Sequence, residues 1–215
     1  MKGSSINTKE VFLRDYGNRD WNWYRSLLAE AIKYGIPGKW VDLGSGLGLF
    51  VECAVRFGID CIGLEGSEWA INEARIRFPM IDMRQHFLED RLPFEDTSIS
   101  TIMFNQVIEH ISKETAVFML AECYRVLKHG GVMLIYSPSK YDKKQALDET
   151  HINLYTPKSL RERVKQAGFK VVAEPNSLKL FLGNNLFSKA LSRLIYGLWK
   201  FEFLSNSANI IAKKP

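Results

Sequence analysis

Apolar positions along the chain follow two rhythms. Short continuous runs at 40–43, 61–65, 99–105 and 132–137 read as strands buried on both faces. Stretches of helical period follow the first three, at 49–57, 67–78 and 113–127. A weaker strand is placed at 81–83 and a sixth at 169–173, with 178–182 as its candidate continuation. A last strand is placed at 207–212. Ahead of all these, Asp20 is positioned to cap a helix over 21–34, with Trp21, Tyr24, Leu27, Leu28, Ala31 and Ile32 on one stripe. Gly35 stops that helix and Pro37-Gly38 turns the chain into the first strand. Thr156 followed by Pro157 opens a further helix over 157–167, which Gly168 ends. Lys128-His129-Gly130-Gly131 reads as a helix stop and turn before the fifth strand.

Two segments break the alternation. Residues 138–149 are polar and charged without an apolar period, as expected of a mobile loop over the sheet edge and a candidate lid. Residues 183–203 carry Leu186, Phe187, Ala190, Leu191, Leu194, Ile195, Leu198 and Trp199 at helical spacing, with Lys189, Arg193 and Lys200 between them. Three readings of this helical insertion stand side by side. It packs back on the sheet, it roofs an apolar pocket or pairs two subunits, or it lies on a membrane surface as a peripheral basic amphipathic helix.

Composition changes this picture little. A length of 215 residues suits one domain with a sizeable core. The net charge of +5 comes without a dense Lys/Arg block or aromatic-basic interleaving, so no nucleic acid partner is expected. Cys53, Cys61 and Cys123 form no CxxC pair and are expected to be reduced and buried, in a cytoplasmic setting. The first residues lack the apolar core of a secretory signal, and no apolar run is long enough to span a membrane. Nothing in the pattern sets an oligomeric state.

The chemistry concentrates at Val41-Asp42-Leu43-Gly44-Ser45-Gly46-Leu47-Gly48, where the first strand stops at glycines spaced two apart and a helix follows at once. Such a turn lets a ligand approach bare backbone, and it opens the first βα unit of a nucleotide-binding sheet. A dinucleotide fingerprint needs glycines one, three and six; here the third glycine comes at position five and Leu49 holds the sixth. Asp42 precedes the first glycine by two residues. At the end of the second strand stands Glu65, an acid suited to the two hydroxyls of a ribose. It serves a dinucleotide site equally well.

This turn resembles the signature loop of the class I S-adenosylmethionine (SAM) methyltransferases, in particular the small-molecule type. Leu92-Pro93-Phe94 with the following acids, the Val107-Ile108-Glu109-His110 link after the fourth strand, and Leu127 to Tyr136 entering the fifth carry the same resemblance. So do His151, Tyr155 and Thr156-Pro157 before Ala167-Gly168-Phe169. It covers about 36–175 and the final strand.

The resemblance implies an α/β, Rossmann-like fold: a seven-stranded, mostly parallel sheet with an antiparallel last strand and helices on both faces. It implies a single domain over 1–215, with a SAM-binding core at 36–175 and a segment at 1–35, including Tyr16 and Trp21, covering the site. The cofactor set is then Asp42, Gly44, Ser45 and Gly46 for the amino-acid end. Glu65 takes the ribose, Gly66 and Ser67 the adenine side, and Asn105 and Gln106 the end of the fourth strand. The family's adenine-binding acid falls near Phe87 or Leu88, neither acidic; Glu89, Asp90 or backbone groups at Leu88 take its place. His110 and His151 are candidate catalytic bases. Relatives acting on quinone precursors bind a metal through a Glu at the place of Gln106, so no metal is expected.

The expected reaction is methyl transfer from SAM to an O, N or C nucleophile of a small acceptor, with the insertion pointing to a bulky or lipophilic one. A non-catalytic SAM-binding scaffold and an NAD-dependent oxidoreductase are the alternatives.

Overall fold

The computed structural model describes residues 21–175 and 205–215. The expectations for Tyr16, Asp20, 178–182 and the insertion at 183–203 lie outside the described residues. Seven strands form one sheet: β1 (Trp40–Leu43), β2 (Cys61–Glu65), β3 (Asp82–Gln85), β4 (Ile99–Asn105), β5 (Leu127–Tyr136), β6 (Lys170–Ala173) and β7 (Ile210–Lys213). Their spatial order is β3-β2-β1-β4-β5-β7-β6. Strands β1 to β5 pair in parallel, and β7 runs antiparallel to both β5 and β6. The expected Rossmann-like α/β arrangement is therefore present, with β7 inserted between β5 and β6.

Among the described residues, five α-helices flank the sheet: α1 (Trp21–Ile32), α2 (Leu49–Arg56), α3 (Glu68–Arg77), α4 (Lys113–Val126) and α5 (Pro157–Gln166). The central strands are buried on both faces, and their alternate residues enter two separate cores. Val41, Leu43, Ile62, Leu64, Ile102 and Phe104 pack with Ala116, Met119, Leu120 and Cys123 of α4 and with Leu160 and Val164 of α5. Trp40, Cys61, Met103 and Leu134 pack on the other face with Tyr24, Leu27 and Leu28 of α1 and with Phe50, Val51 and Cys53 of α2. All three cysteines are free and buried. Among the described residues, no helix is long and apolar enough to cross a membrane.

The structure corrects several expected boundaries. Helix α1 ends at Ile32, which is 47% exposed rather than on the buried stripe. Only Tyr24, Leu27, Leu28 and Ala31 of that helix are buried, because the contact with α2 runs out before the last residue. Residues 128–131 are not a turn. Helix α4 stops at Val126, and β5 begins at once with Leu127 opposite Ile99. The register then shifts before Val132 meets Thr101, and Gly130 takes φ 79° inside this irregularity. Strand β3 is weak for a visible reason: it is the sheet's edge, and only Met83 of its four residues is buried.

Candidate functional site at the carboxyl edge of the sheet

Strand β1 lies between β2 and β4, so the chain leaves it toward one side and later returns on the other. Crevices of this kind, outside the carboxyl ends of the strands, are where open α/β sheets bind ligands. The glycine turn sits at that point. Gly44 and Gly46 take φ 66° and 53°, left-handed values that cost a side chain strain. A Cβ on Gly44 would also stand 2.5 Å from a methyl of Val107, two residues beyond β4. The turn thus presses directly against the β4 link.

Four of the turn's backbone donors are engaged by the protein itself. Gly44 N and Ser45 N donate to the Leu64 carbonyl at 2.8 and 3.0 Å, and Gly48 N donates to the Ser45 carbonyl at 3.0 Å. Gly46 N donates to Glu65 Oε2 at 2.8 Å. Ser67 N donates to the other oxygen, Oε1, at 2.9 Å. Glu65 therefore bridges the glycine turn and the start of α3, where the Ser67 hydroxyl caps by accepting from Ala70 N. A carboxylate offers about four lone-pair positions, so these two bonds do not exhaust its capacity to accept from a ligand.

Burial pushes the Glu65 carboxyl above the usual carboxylate range, opposed by the backbone N–H groups of Ser67, Gly46 and Gly66. Asp42, buried at the end of β1, is pushed well above that range by burial and then by the charge of Glu65. The two acids compete for ionisation at the same sheet edge.

Beyond β3 the chain continues through His86, Phe87 and Leu88, all partly buried, and His86 N donates to the Glu65 carbonyl at 2.9 Å. Leu88 packs against the core, while Glu89 and Asp90 are exposed. His86, which the sequence reading passed over, stacks this segment beside Glu65; burial lowers its basicity.

On the other side of β1, a cavity of about 300 Å³ opens at the ends of β4 and β5. Trp23 and Leu27 of α1 border it, with Asn105 and Gln106 from β4 and Tyr136, Ser137 and Pro138 from β5. Asp142 and Gln145 of the 138–149 loop and Asn206, Ser207 and Asn209 ahead of β7 complete the described wall. Gln106 holds φ 56°, an uncommon value for a side-chain-bearing residue, with its N–H donating to the Tyr136 carbonyl at 2.7 Å. Asp142, Gln145 and the three residues before β7 carry no sequence signature, because distant segments bring them together. Polar and apolar surface share the described wall about equally, and the insertion from which a lipophilic acceptor is expected lies outside the described residues.

The two candidate bases come together, but neither borders this cavity. His110 and His151 stand with ring centroids 4.7 Å apart. His110 Nδ1 pairs with the Thr150 carbonyl at 3.0 Å and His151 Nδ1 with the Gln145 carbonyl at 2.9 Å. Both contacts are to carbonyls, so Nδ1 carries the proton and Nε2 a lone pair when either ring is neutral. With the buried carboxylate of Glu109, one ligand atom from each residue lies within 4.8 Å of the others. This set of donors could hold a divalent cation without a contribution from Gln106. The His110–Thr150 contact also ties the end of the 138–149 loop to the β4 link.

The switch-point turn, the bridging acid and the adjoining cavity lie together at the carboxyl edge of an α/β sheet, the place where such folds bind ligands. Residues 18–174 match the profile of a methyltransferase domain family. The chain belongs to that family. It is 28% identical over 171 residues to a probable S-adenosylmethionine-dependent methyltransferase of Mycolicibacterium smegmatis, covering 76% of this chain and 64% of that protein. It is 26% identical over 129 residues to a ubiquinone biosynthesis O-methyltransferase of Roseobacter denitrificans, covering 57% of this chain and 51% of that one. The chain thus spans between half and two thirds of the length of these relatives. The crystal structure of a SAM dependent methyltransferase from Archaeoglobus fulgidus superposes with a TM-score of 0.71 at 20% identity, covering 96% of this chain and all of that one, a likeness of fold.

Proposed function

We propose that the protein binds SAM at the glycine turn and transfers its methyl group to a nucleophile of a small acceptor in the adjoining cavity. The observation that carries this reading is Glu65, held between Gly46 N and Ser67 N at the switch point with lone pairs left for a ribose diol. Because four of the turn's backbone donors are engaged internally, its carbonyls and Asp42 meet the ammonium of the methionine end. The adenine lies against Gly66, Ser67 and the segment from Leu88 to Glu89, read through backbone groups in place of an acid. Asn105 and Gln106 separate the cofactor from the acceptor.

SAM's sulfonium is intrinsically activated, so the chain mainly aligns nucleophile, methyl and sulfur and excludes water. His110 and His151 anchor the lid in this reading. The glycine spacing speaks against a nicotinamide dinucleotide, which shares the fold and the ribose acid.

The test is calorimetric titration with SAM, S-adenosylhomocysteine and NAD. Micromolar binding of the adenosyl pair and none of NAD is expected; NAD binding instead overturns the assignment of the turn.

A further inference from the structure

The wall of the cavity speaks to the acceptor. We propose that the acceptor is a neutral, hydroxyl-rich molecule of the glycoside type, and that Asp142 receives the proton of the hydroxyl that is methylated. This rests on reading the neighbouring turn as a SAM site.

The argument starts from the hydrogen-bonding groups on offer. Asn105, Gln145 and Asn206 reach the cavity from three separate segments: the end of β4, the 138–149 loop and the loop before β7. No hydrogen bond joins their side-chain amides to another described residue. Each amide carries two donors and a two-lone-pair acceptor, and Asp142 adds an acceptor-only carboxylate. Among the described lining residues there is no Lys, Arg or His.

Candidate acceptors can be sorted against this set. A phosphate or carboxylate supplies acceptors only, meets no cation among the described lining residues and faces the charge of Asp142. An ammonium supplies donors only and leaves the amide N–H groups unmatched. A simple phenol brings one or two hydroxyls on an apolar ring, leaving most amides unpaired once the cavity closes, which is costly. A sugar ring matches, because every hydroxyl both donates and accepts and several are carried round one ring. Its apolar face has a candidate partner in Trp23, which borders the cavity. The volume of about 300 Å³ is small for a ligand site and suits a single ring.

Asp142 is held ready for a proton. Its Oδ1 accepts from Lys144 N at 3.0 Å, and its own N–H donates to the Ser139 carbonyl at 2.9 Å. Oδ2 is thereby left for the acceptor. In the step itself, the hydroxyl oxygen forms a bond to the methyl carbon of SAM. The carbon–sulfur bond breaks with its electron pair left on sulfur, giving S-adenosylhomocysteine. The hydroxyl proton passes to the Asp142 carboxylate and from there to water.

The test uses the full chain with tritium-labelled SAM and five probes: methyl α-D-glucopyranoside, methyl α-D-mannopyranoside, maltotriose, catechol and phosphoethanolamine. S-adenosylhomocysteine binding is measured by calorimetry on the same preparation. The expected result is label in a methyl ether of at least one saccharide and none in phosphoethanolamine. Asp142→Asn keeps the bond to Lys144 N through its amide oxygen. It is expected to slow transfer at least ~100-fold and flatten the pH profile, with S-adenosylhomocysteine affinity unchanged. A chain that binds S-adenosylhomocysteine and labels no saccharide overturns the acceptor class. An Asp142→Asn variant at the full rate overturns the role of Asp142. A chain that binds no S-adenosylhomocysteine overturns the cofactor reading instead.

Discussion

Replacing Glu65 by Gln separates a ligand-binding acid from a structural clip. In the wild type, both carboxylate oxygens accept backbone N–H groups, from Gly46 at 2.8 Å and Ser67 at 2.9 Å. Glutamine keeps one oxygen and turns an NH2 group toward the other donor, so one buried N–H loses its partner. That loss costs about 1–3 kcal/mol. Removing the charge offsets part of it, because burial already disfavours the ionised form. The unliganded fold should therefore lose little, about 1–2 kcal/mol, with a shift in melting temperature of a few degrees.

Binding should suffer more. Hydrogen bonds to a charged group contribute about 1.5–3 kcal/mol against about 0.5–1.5 for neutral pairs. With one diol bond lost and the other made neutral, the deficit is about 2–4 kcal/mol, or roughly 30- to 1,000-fold in Kd. The assay is calorimetry with S-adenosylhomocysteine and its 2′-deoxy analogue on both proteins. The wild type should discriminate strongly between the two ligands and Glu65→Gln weakly. Unchanged affinity for S-adenosylhomocysteine in the variant, with the fold intact, would refute the ribose role and leave Glu65 as a clip for the turn.

Other perturbations bear on the same account. Gly46→Val puts a β-branched side chain at φ 53° and should abolish SAM binding, since the left-handed conformation costs ~1–2 kcal/mol and the turn must shift; unchanged affinity in calorimetry would contradict the assignment of the turn. Asp42 carries a folded pKa well above its ordinary value, so the folded state holds its proton longer than the unfolded chain. Stability of the unliganded protein should then fall as pH rises above about 4 and through the raised value, and Asp42→Asn should remove this dependence and stabilise the chain at neutral pH in thermal melts. A ligand ammonium beside Asp42 favours its ionised form, so SAM affinity should rise with pH over the same window, and a flat profile would place the ammonium elsewhere. Arg125 pairs with the buried Glu122, with Asp96 and with the carbonyls of Leu92 and Phe94, so Arg125→Ala should cost about 3–5 kcal/mol in denaturant unfolding; a loss below 1 kcal/mol would show that the network contributes little.

Much of this arrangement was legible in the residues. The strand before Gly44, the acid at Glu65 and the run 99–105 announce themselves through local pattern, because each strand is buried on both faces and each turn requires glycine. Ser67 and Thr156 declare their helix starts by side-chain capping. The bulge at 128–131 was misread because glycines inside a strand look like glycines in a turn, and only pairing with β4 and the terminal segment tells them apart. The internal use of the turn's N–H groups was invisible, since it depends on how Leu64 and Glu65 lie beside them. The cavity wall was equally hidden. Asp142, Gln145 and Asn206 are ordinary polar loop residues until the sheet brings them to one edge. The histidines at 110 and 151 were picked out separately, each beside a different strand or helix. Their proximity, and their position behind the 138–149 loop rather than in the cavity, is a product of tertiary structure.

The most direct measurement is a crystal structure of the chain with S-adenosylhomocysteine. The account predicts the ribose hydroxyls within hydrogen-bonding distance of Glu65, the adenine against Ser67 and Leu88, and the sulfur directed past Asn105 toward the cavity bounded by Tyr136 and Asp142. A nucleotide bound away from the glycine turn, or one whose ribose leaves Glu65 untouched, would contradict it.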